Sequence, residues 1–305
     1  ASSAASDVYK RQLVNIREEH LFTMARQTAI SINTIPIGPL GIIGMPGCEE
    51  LTDKIDQYLV KWRKTQAIEH AESIAFFGYQ RDSYKIDITI PRFGSGEGKG
   101  VINESVRGYD IYIVCDVFNY SCTYNMYGKE VCMSPDDHFA DLKRVISALC
   151  SKPKRVSVIM PMLYEGRQHK RSSRESLDCA MALKELVHLG VENIITFDAH
   201  DQRVQNAIPD KSFENVMPTY QMIKALVNNV DDLKVDKDHL MVISPDEGAL
   251  HRCIYFATQL GINLGMFYKR RDYTRVVNGR NPIVEHQYLS RIHISEPTRH
   301  AQISY

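Results

Sequence analysis

Two apolar rhythms alternate along this chain. Short, nearly continuous runs read as buried strands: "DIYIVCD" (110–116), "RVSVIM" (155–160), "NIITFDAH" (193–200), "LMVISPDEG" (240–248) and "NLGMFYKRRD" (263–272). Between them, apolar positions recur at helical spacing. In "CEELTDKIDQYLVKW" Leu51, Ile55, Leu59 and Trp62 fall on one predicted face. "SPDDHFADLKRVISALC" opens with Ser134 as an N-cap, Pro135 at the first helical position and Asp137 in the first turn. Phe139, Leu142, Ile146 and Leu149 follow at helical intervals. "RESLDCAMALKELVHLG" ends at Gly190 and "ALHRCIYFATQLG" at Gly261, each a natural C-terminal stop. "TYQMIKALVNNV" is a further predicted helix.

Strand and helix in repeated succession imply α/β architecture, with parallel sheets covered by helices on both faces. Two βα halves meeting near residues 205–220 fit the 305-residue length, at roughly 100–200 residues per domain. In such sheets ligands bind outside the carboxyl ends of the strands, so the residues just after each apolar run carry the functional reading.

Composition narrows the picture. Lys+Arg and Asp+Glu are both 37, so no net positive field draws nucleic acid, and the 44% hydrophobic share supports a core. No run of about 18 apolar residues suggests a membrane span. The seven cysteines form no CxxC pair, as expected of reduced thiols in a cytoplasmic protein. "SDVYKRQ" and "RIHISEPTRHAQISY" lack apolar periodicity and join abruptly to patterned sequence. Residues 1–12 and 291–305 are therefore expected to be non-native tails.

The strand ends are strongly ionisable. His200 in "FDAHD" offers an imidazole, and Asp246 in "SPDEG" offers hard oxygens suited to Mg²⁺. Their plainer alternatives are a hydrogen-bonded structural histidine and a helix cap. "GRQHKR" (166–171) and "YKRRD" (268–272) could hold a polyphosphate, Arg through its bidentate fork and Lys as a point charge, or could be solvated surface. "RFGSGEGKG" (92–100) lacks the Lys-Ser/Thr of a phosphate loop and reads first as a hairpin turn. Phe93 beside it could stack on a base or lie half-buried. No cysteine sits in an electropositive loop suited to a reactive thiolate.

Five segments together resemble a known family: "RFGSGEGKGVINESVRGYDIYIV", "MPMLYEGRQHKRSSRES", "IITFDAHDQRVQ", "VISPDEGALHR" and "YKRRD" occur in the order seen in ribose-phosphate pyrophosphokinase, or PRPP synthetase. The resemblance covers roughly residues 36–290, and "VFNYSCTYNMYGKEVCM" looks like the insertion of the longer bacterial variant. It implies two phosphoribosyltransferase-like domains: one over 13–210 on the ATP side, and an incomplete one over 211–290. It also implies a cytoplasmic, Mg²⁺-dependent transfer of pyrophosphate from ATP to the 1-hydroxyl of ribose 5-phosphate. The enzymes assemble as homo-oligomers, from dimer to hexamer.

Carried over by motif, Arg167 and Gln168 would bind ATP. Phe93, Ser95 and Glu97 would receive the adenine, in this family from a neighbouring subunit; Ser95 replaces the more frequent Asp or Asn. His200 and Asp246 would hold Mg²⁺–ATP, and Lys269 and Arg271 would be the catalytic pair on a flexible loop. Arg174 lies where the family binds phosphate or ADP allosterically. His169 departs from the commoner "ARQD" pattern. The acidic, Thr/Gly-rich ribose-5-phosphate loop does not follow "NPIVEHQYL", so the second domain is expected to be truncated and the chain inactive. Two alternatives share parts of this pattern: a non-catalytic PRPP-synthetase-associated regulatory protein and a PRPP-consuming phosphoribosyltransferase.

Overall fold

Alternation of Ile and Val with their neighbours on each short strand sends successive side chains to opposite faces, and both faces are covered. The computed structural model describes residues 37–69, 80–171, 173–271 and 283–292, with 268–271 and 283–292 described by backbone alone. The tails set apart above fall outside the described residues, apart from 291–292 at the end of the last strand.

Contacts divide the chain at Pro218/Thr219. In the first unit five strands form a fully parallel sheet in the order β1-β4-β7-β8-β9. They are β1 (Leu40–Gly44), β4 (Asp110–Val114), β7 (Arg155–Met160), β8 (Asn193–Phe197) and β9 (Ser212–Val216). Short pairs β2/β3 (Ile88–Thr89, Val101–Ile102) and β5/β6 (Thr123–Met126, Lys129–Cys132) stand apart from it. The second pair is the predicted insertion, folded as a hairpin.

Helices α2 (Pro135–Ala148) and α3 (Asp178–His188) cover one face. There Phe139, Leu142, Val145, Leu183 and Leu186 pack with Ile43, Ile111, Ile113, Val158 and Ile194. The other face carries Ile42, Val114 and Tyr84, packed against Ile55, Leu59 and Val60 of α1 (Glu49–Glu69). The α2 start follows the expected capping: Ser134 accepts from the Asp137 N–H, and the Asp137 carboxylate accepts from the Ser134 N–H.

The predicted α1 face is partly wrong. Leu51 and Trp62 are 40% and 42% exposed, while Thr52, Asp56 and Gln66 are buried. The reason is the neighbouring segment. Tyr84 and Ile86 hydrogen-bond to Ile42 as an extra edge to β1. Asp56 accepts from the Tyr84 N–H at 2.7 Å and the Ser83 hydroxyl at 2.8 Å. A buried carboxylate with two donors fixes the helix rotation more tightly than two large apolar side chains at the rim. Gly44 permits close approach, because a Cβ there would lie 2.6 Å from the Thr52 hydroxyl oxygen.

The second unit contains α4 (Thr219–Asn229), β10 (Met241–Ser244), α5 (Leu250–Leu260), β11 (Asn263–Arg271) and β12 (Ile283–Ile292). β10 and β11 are parallel, as expected, but β12 joins β11 antiparallel, so this sheet is mixed. The stretch between β11 and β12 is shorter than the dozen or more residues a parallel crossover needs. Gly261 ends α5 in the left-handed region at φ 66°. No helix among the described residues is long and apolar enough to cross a membrane.

Candidate nucleotide and metal site

The carboxyl ends of β7 and β8 bring together the residues singled out in "GRQHKR" and "FDAHD". After Met160 the chain turns twice within a few residues: Gly166 N–H bonds Leu163 O at 3.1 Å, and Gln168 N–H bonds Glu165 O at 2.8 Å. Glu165 takes a left-handed φ of 54° to make the double turn. The result presents Arg167 as an exposed side chain and ties Gln168 back to the start of α3. Gln168 Nε2 donates to Ser176 O at 2.9 Å, and its own carbonyl accepts from the Cys179 N–H. Tyr164 buttresses the turn, stacked on Phe139 at 4.2 Å and donating its hydroxyl to Asp136 at 2.6 Å. Burial, then the bond to Asp136, pushes the phenol far above its usual range, so it stays a donor. Glu165 is also held above the ordinary carboxylate value, first by burial and then by Asp178 and Asp136.

Beside this turn lies the β8 end. Asp198 has a left-handed φ of 46°, and the Ala199 N–H donates to Asn215 Oδ1 at 2.8 Å, which anchors the loop to β9. His200 emerges exposed, its ring 4.9 Å from that of His169. His169 Nε2 lies 3.5 Å from Asp201 Oδ2, and His169 Nδ1 lies 3.1 Å from Arg167 O. Arg203 grips the Asp201 carboxylate through Nε and Nη2 and, with the Arg203 N–H, holds it far below the usual range. Imidazole nitrogens and a fixed carboxylate are donors a divalent cation accepts. Among the described residues no group of three or more His, Cys, Asp or Glu side chains is placed to hold a metal ion.

The "RFGSGE" segment forms the tight turn expected of it. Phe93 N–H bonds Glu97 O at 2.8 Å, Gly96 N–H bonds Phe93 O at 2.9 Å, and the Ser95 hydroxyl donates to Glu97 Oε2 at 2.8 Å. Phe93 is 58% exposed and available for stacking. The turn is locked from both sides. Tyr127 of the β5/β6 hairpin donates its N–H to Gly94 O, and Arg92 pairs with buried Asp141 of α2 while lying over the Tyr124 ring. α2 therefore touches both parts of the candidate site, through Asp136 at one end and Asp141 further along.

Asp246 lies in the second unit. Its Oδ1 accepts from the Ala249 N–H at 3.0 Å in the turn before α5, whose N-cap is Ala249 itself with no side-chain cap bond, so the cap weighed above is not formed. β11 extends through Arg271, so Lys269 and Arg271 sit on strand backbone paired with His286 and Ile283, where a loop was expected. Their side chains lie outside the described residues. Arg174 is exposed just before α3. Sequence reasoning missed the His169–Asp201 approach. The extra imidazole in "GRQHKR" was its visible signal.

Comparisons with known proteins fit this arrangement. Residues 40–190 match the model of the N-terminal domain of ribose phosphate pyrophosphokinase. A ribose-phosphate pyrophosphokinase of Ralstonia nicotianae is 27% identical over 199 residues, covering 64% of this chain and 56% of the relative. One from Helicobacter pylori is 29% identical over 190 residues, covering 60% and 52%. The chain thus spans about half the length of these curated relatives. In fold it resembles the phosphoribosylpyrophosphate synthetase of Mycobacterium smegmatis, with a TM-score of 0.57 and 20% identity over 81% of this chain and 67% of that one. The matched region holds β1, β4 and β7 of the parallel sheet, the "RFGSGE" turn between β1 and β4 and the "GRQ" double turn after β7, and by that match this region belongs to the family of ribose phosphate pyrophosphokinase N-terminal domains.

Proposed function

We propose that this chain carries the nucleotide side of a pyrophosphoryl transfer from Mg²⁺–ATP to the 1-hydroxyl of ribose 5-phosphate, giving PRPP and AMP. The observation that carries the reading is the convergence of Arg167, Gln168 and His200 at two adjacent strand ends within a unit of matching family. Arg167 would grip triphosphate oxygens through charge-assisted hydrogen bonds. Gln168, tied to Ser176 and Cys179, would hold the adjoining backbone in place. Phe93, Ser95 and Glu97 would meet an adenine in a neighbouring copy, and the exposed Phe93 ring suits such a contact. A contact with a neighbouring copy calls for a homo-oligomer, and the family resemblance suggests one of dimer to hexamer size in the cytoplasm.

His200 would offer the metal a ligand at the β8 end, and Asp246, carried over by motif as its partner, belongs to the second unit. Mg²⁺ would neutralise phosphate charge, taking most of its ligands from phosphate oxygens and water. The sugar hydroxyl attacks the β-phosphorus, and AMP departs with the negative charge. Lys269 and Arg271 would meet that charge as it develops, a role of positioning and electrostatics rather than covalent chemistry.

Nucleotide binding tests the reading. The chain should bind ATP with Mg²⁺ in preference to GTP. Arg167→Ala should weaken ATP roughly tenfold, as loss of a charge-assisted contact implies. Lys269→Ala should leave binding nearly intact. Equal affinity for ATP and GTP, unchanged in Arg167→Ala, would overturn the assignment.

A further inference from the structure

The β5/β6 hairpin has no role in the reading above, and its tip is built from an ill-suited residue. Tyr127 and Gly128 are the two residues between β5 and β6, with φ of 50° and 79°. Positive φ at both central positions of a hairpin turn favours Asn, Asp or Gly at the first, because a larger side chain crowds its own backbone. Tyr127 is none of these, and it is 79% exposed, so little packing within the chain offsets the strain. The tip is docked on the "RFGSGE" turn. The Tyr127 N–H donates to Gly94 O at 2.9 Å, and Arg92 lies over the Tyr124 ring, 4.5 Å from its centroid. A Cβ at Gly96 would lie 3.0 Å from Met126 Sδ and 3.3 Å from Tyr124 Cε2, so the turn packs closely along the hairpin. Phe93, just before Gly94, is itself largely exposed. Two open aromatic residues from distant segments thus share one fixed tip.

We propose that Tyr127 is a second aromatic contact for the purine base of the nucleotide, beside Phe93, and that the hairpin tip keeps an unfavourable residue for that purpose. This role rests on the reading of the Phe93 turn as a base contact in a neighbouring copy, and it brings the inserted hairpin into that contact. Stacking on a base needs an open ring held on a fixed backbone, and tyrosine supplies one with only two side-chain torsions to order. Other side chains of the hairpin end are already committed. Asn125 Oδ1 accepts from the Gly128 N–H at 2.9 Å, and Tyr124 lies beneath the Arg92 guanidinium. Every base has a π-face, so Tyr127 adds affinity for a nucleoside triphosphate, and the choice between ATP and GTP falls to other residues.

Photolabelling and binding by the full chain test this role. 8-Azido-ATP with Mg²⁺ is irradiated on the wild type, with and without excess ATP, and the labelled peptides are mapped. Tyr127 should carry label that ATP prevents; the label is read in the wild type, so it does not depend on a variant folding. By calorimetry Tyr127→Asn should weaken ATP about tenfold, as loss of one base–aromatic stack implies. Its affinity for inorganic tripolyphosphate should stay the same, and its thermal unfolding midpoint should hold or rise, because Asn suits the turn. Tyr127→Phe should restore most of the ATP affinity. A lower midpoint with ATP affinity unchanged in Tyr127→Asn, or an equal loss of tripolyphosphate, would mark a structural residue and overturn the inference. If Phe93→Ala weakens ATP while Tyr127→Asn binds as the wild type and Tyr127 stays unlabelled, the base reading of the turn survives and this inference fails. If neither substitution changes ATP affinity and the label falls elsewhere, both fail.

Discussion

Replacing Asp141 with Ala should loosen the Phe93 turn and destabilise the first unit. Asp141 sits on α2 with its side chain 2% exposed, held at 2.5 Å by Arg92 and at 2.5 Å by Arg144. The two guanidinium groups are 12% and 33% exposed. Removing the carboxylate leaves Arg92 buried, with Gly96 O, the Tyr124 ring and the nearby Asp137 charge as partial compensation. Breaking a buried pair costs about 3–5 kcal/mol. Arg144 can turn toward water, which places the expected loss near the lower end, about 3 kcal/mol. A unit of this size shifts its midpoint by about 2–4 °C per kcal/mol, so thermal unfolding should move down by about 6–12 °C. Amide exchange at Phe93 and Gly96, whose N–H groups close the turn, should accelerate in parallel. The Arg92→Ala/Asp141→Ala double variant should show a coupling of about 1–3 kcal/mol. A loss below about 1 kcal/mol in Asp141→Ala, or strict additivity in the double variant, would refute a buried ion pair as the lock on this turn.

Three further outcomes follow from the packing and the titrating groups. Gly44→Ala should cost about 1–3 kcal/mol in urea unfolding, because its Cβ would lie 2.6 Å from the Thr52 hydroxyl; a neutral result would mean α1 is free to shift. Burial raises the Asp137 carboxyl, but the bonds from the Ser134 N–H and hydroxyl outweigh it and leave the group below its ordinary value of 3.8. A depressed carboxyl stabilises the fold above its unfolded pKa and loses that contribution as pH falls through the folded value. The deficit of Asp137→Asn should therefore be present at pH 7, about 1 kcal/mol as for a lost cap, and shrink as acid unfolding is approached. Cys48 and Cys179 are pushed up to about 11 by burial, so native alkylation at pH 8 should reach the exposed Cys132 and Cys150 first; uniform labelling of all four would contradict the packing.

Much of the first unit was legible because its strands are short, apolar and followed by strong helix starts. Ser134, Pro135 and Asp137 state the α2 boundary in the residues themselves, and Gly190 and Gly261 state where their helices stop. β9 was missed because "SFENV" alternates weakly and sits at the sheet edge, with only Phe213 packed on the core. The α1 face was misjudged because its buried contacts are polar: Asp56 answers donors some thirty positions away, which no helical period can announce. The antiparallel β12 depends on the brevity of a connection rather than on strand composition.

At the site, the basic and imidazole residues were visible because strand ends concentrate ligand chemistry. Their mutual geometry was not. The approach of His169 to Asp201 joins loops from two strands, and the Arg92–Asp141 pair joins a turn to a distant helix. Both are products of tertiary register, and neither has a signature in local spacing. The distribution of charge was also hidden in the balanced total, since basic Arg167 and acidic Asp201 follow the neighbouring strands β7 and β8.

A crystal structure of this chain with Mn²⁺ and a non-hydrolysable ATP analogue tests the central claim most directly. The triphosphate should lie over the Arg167–Gln168 double turn, with the anomalous Mn²⁺ peak beside the His200 ring. Nucleotide bound elsewhere on the molecule, with no metal peak at the β7 and β8 ends, would contradict it.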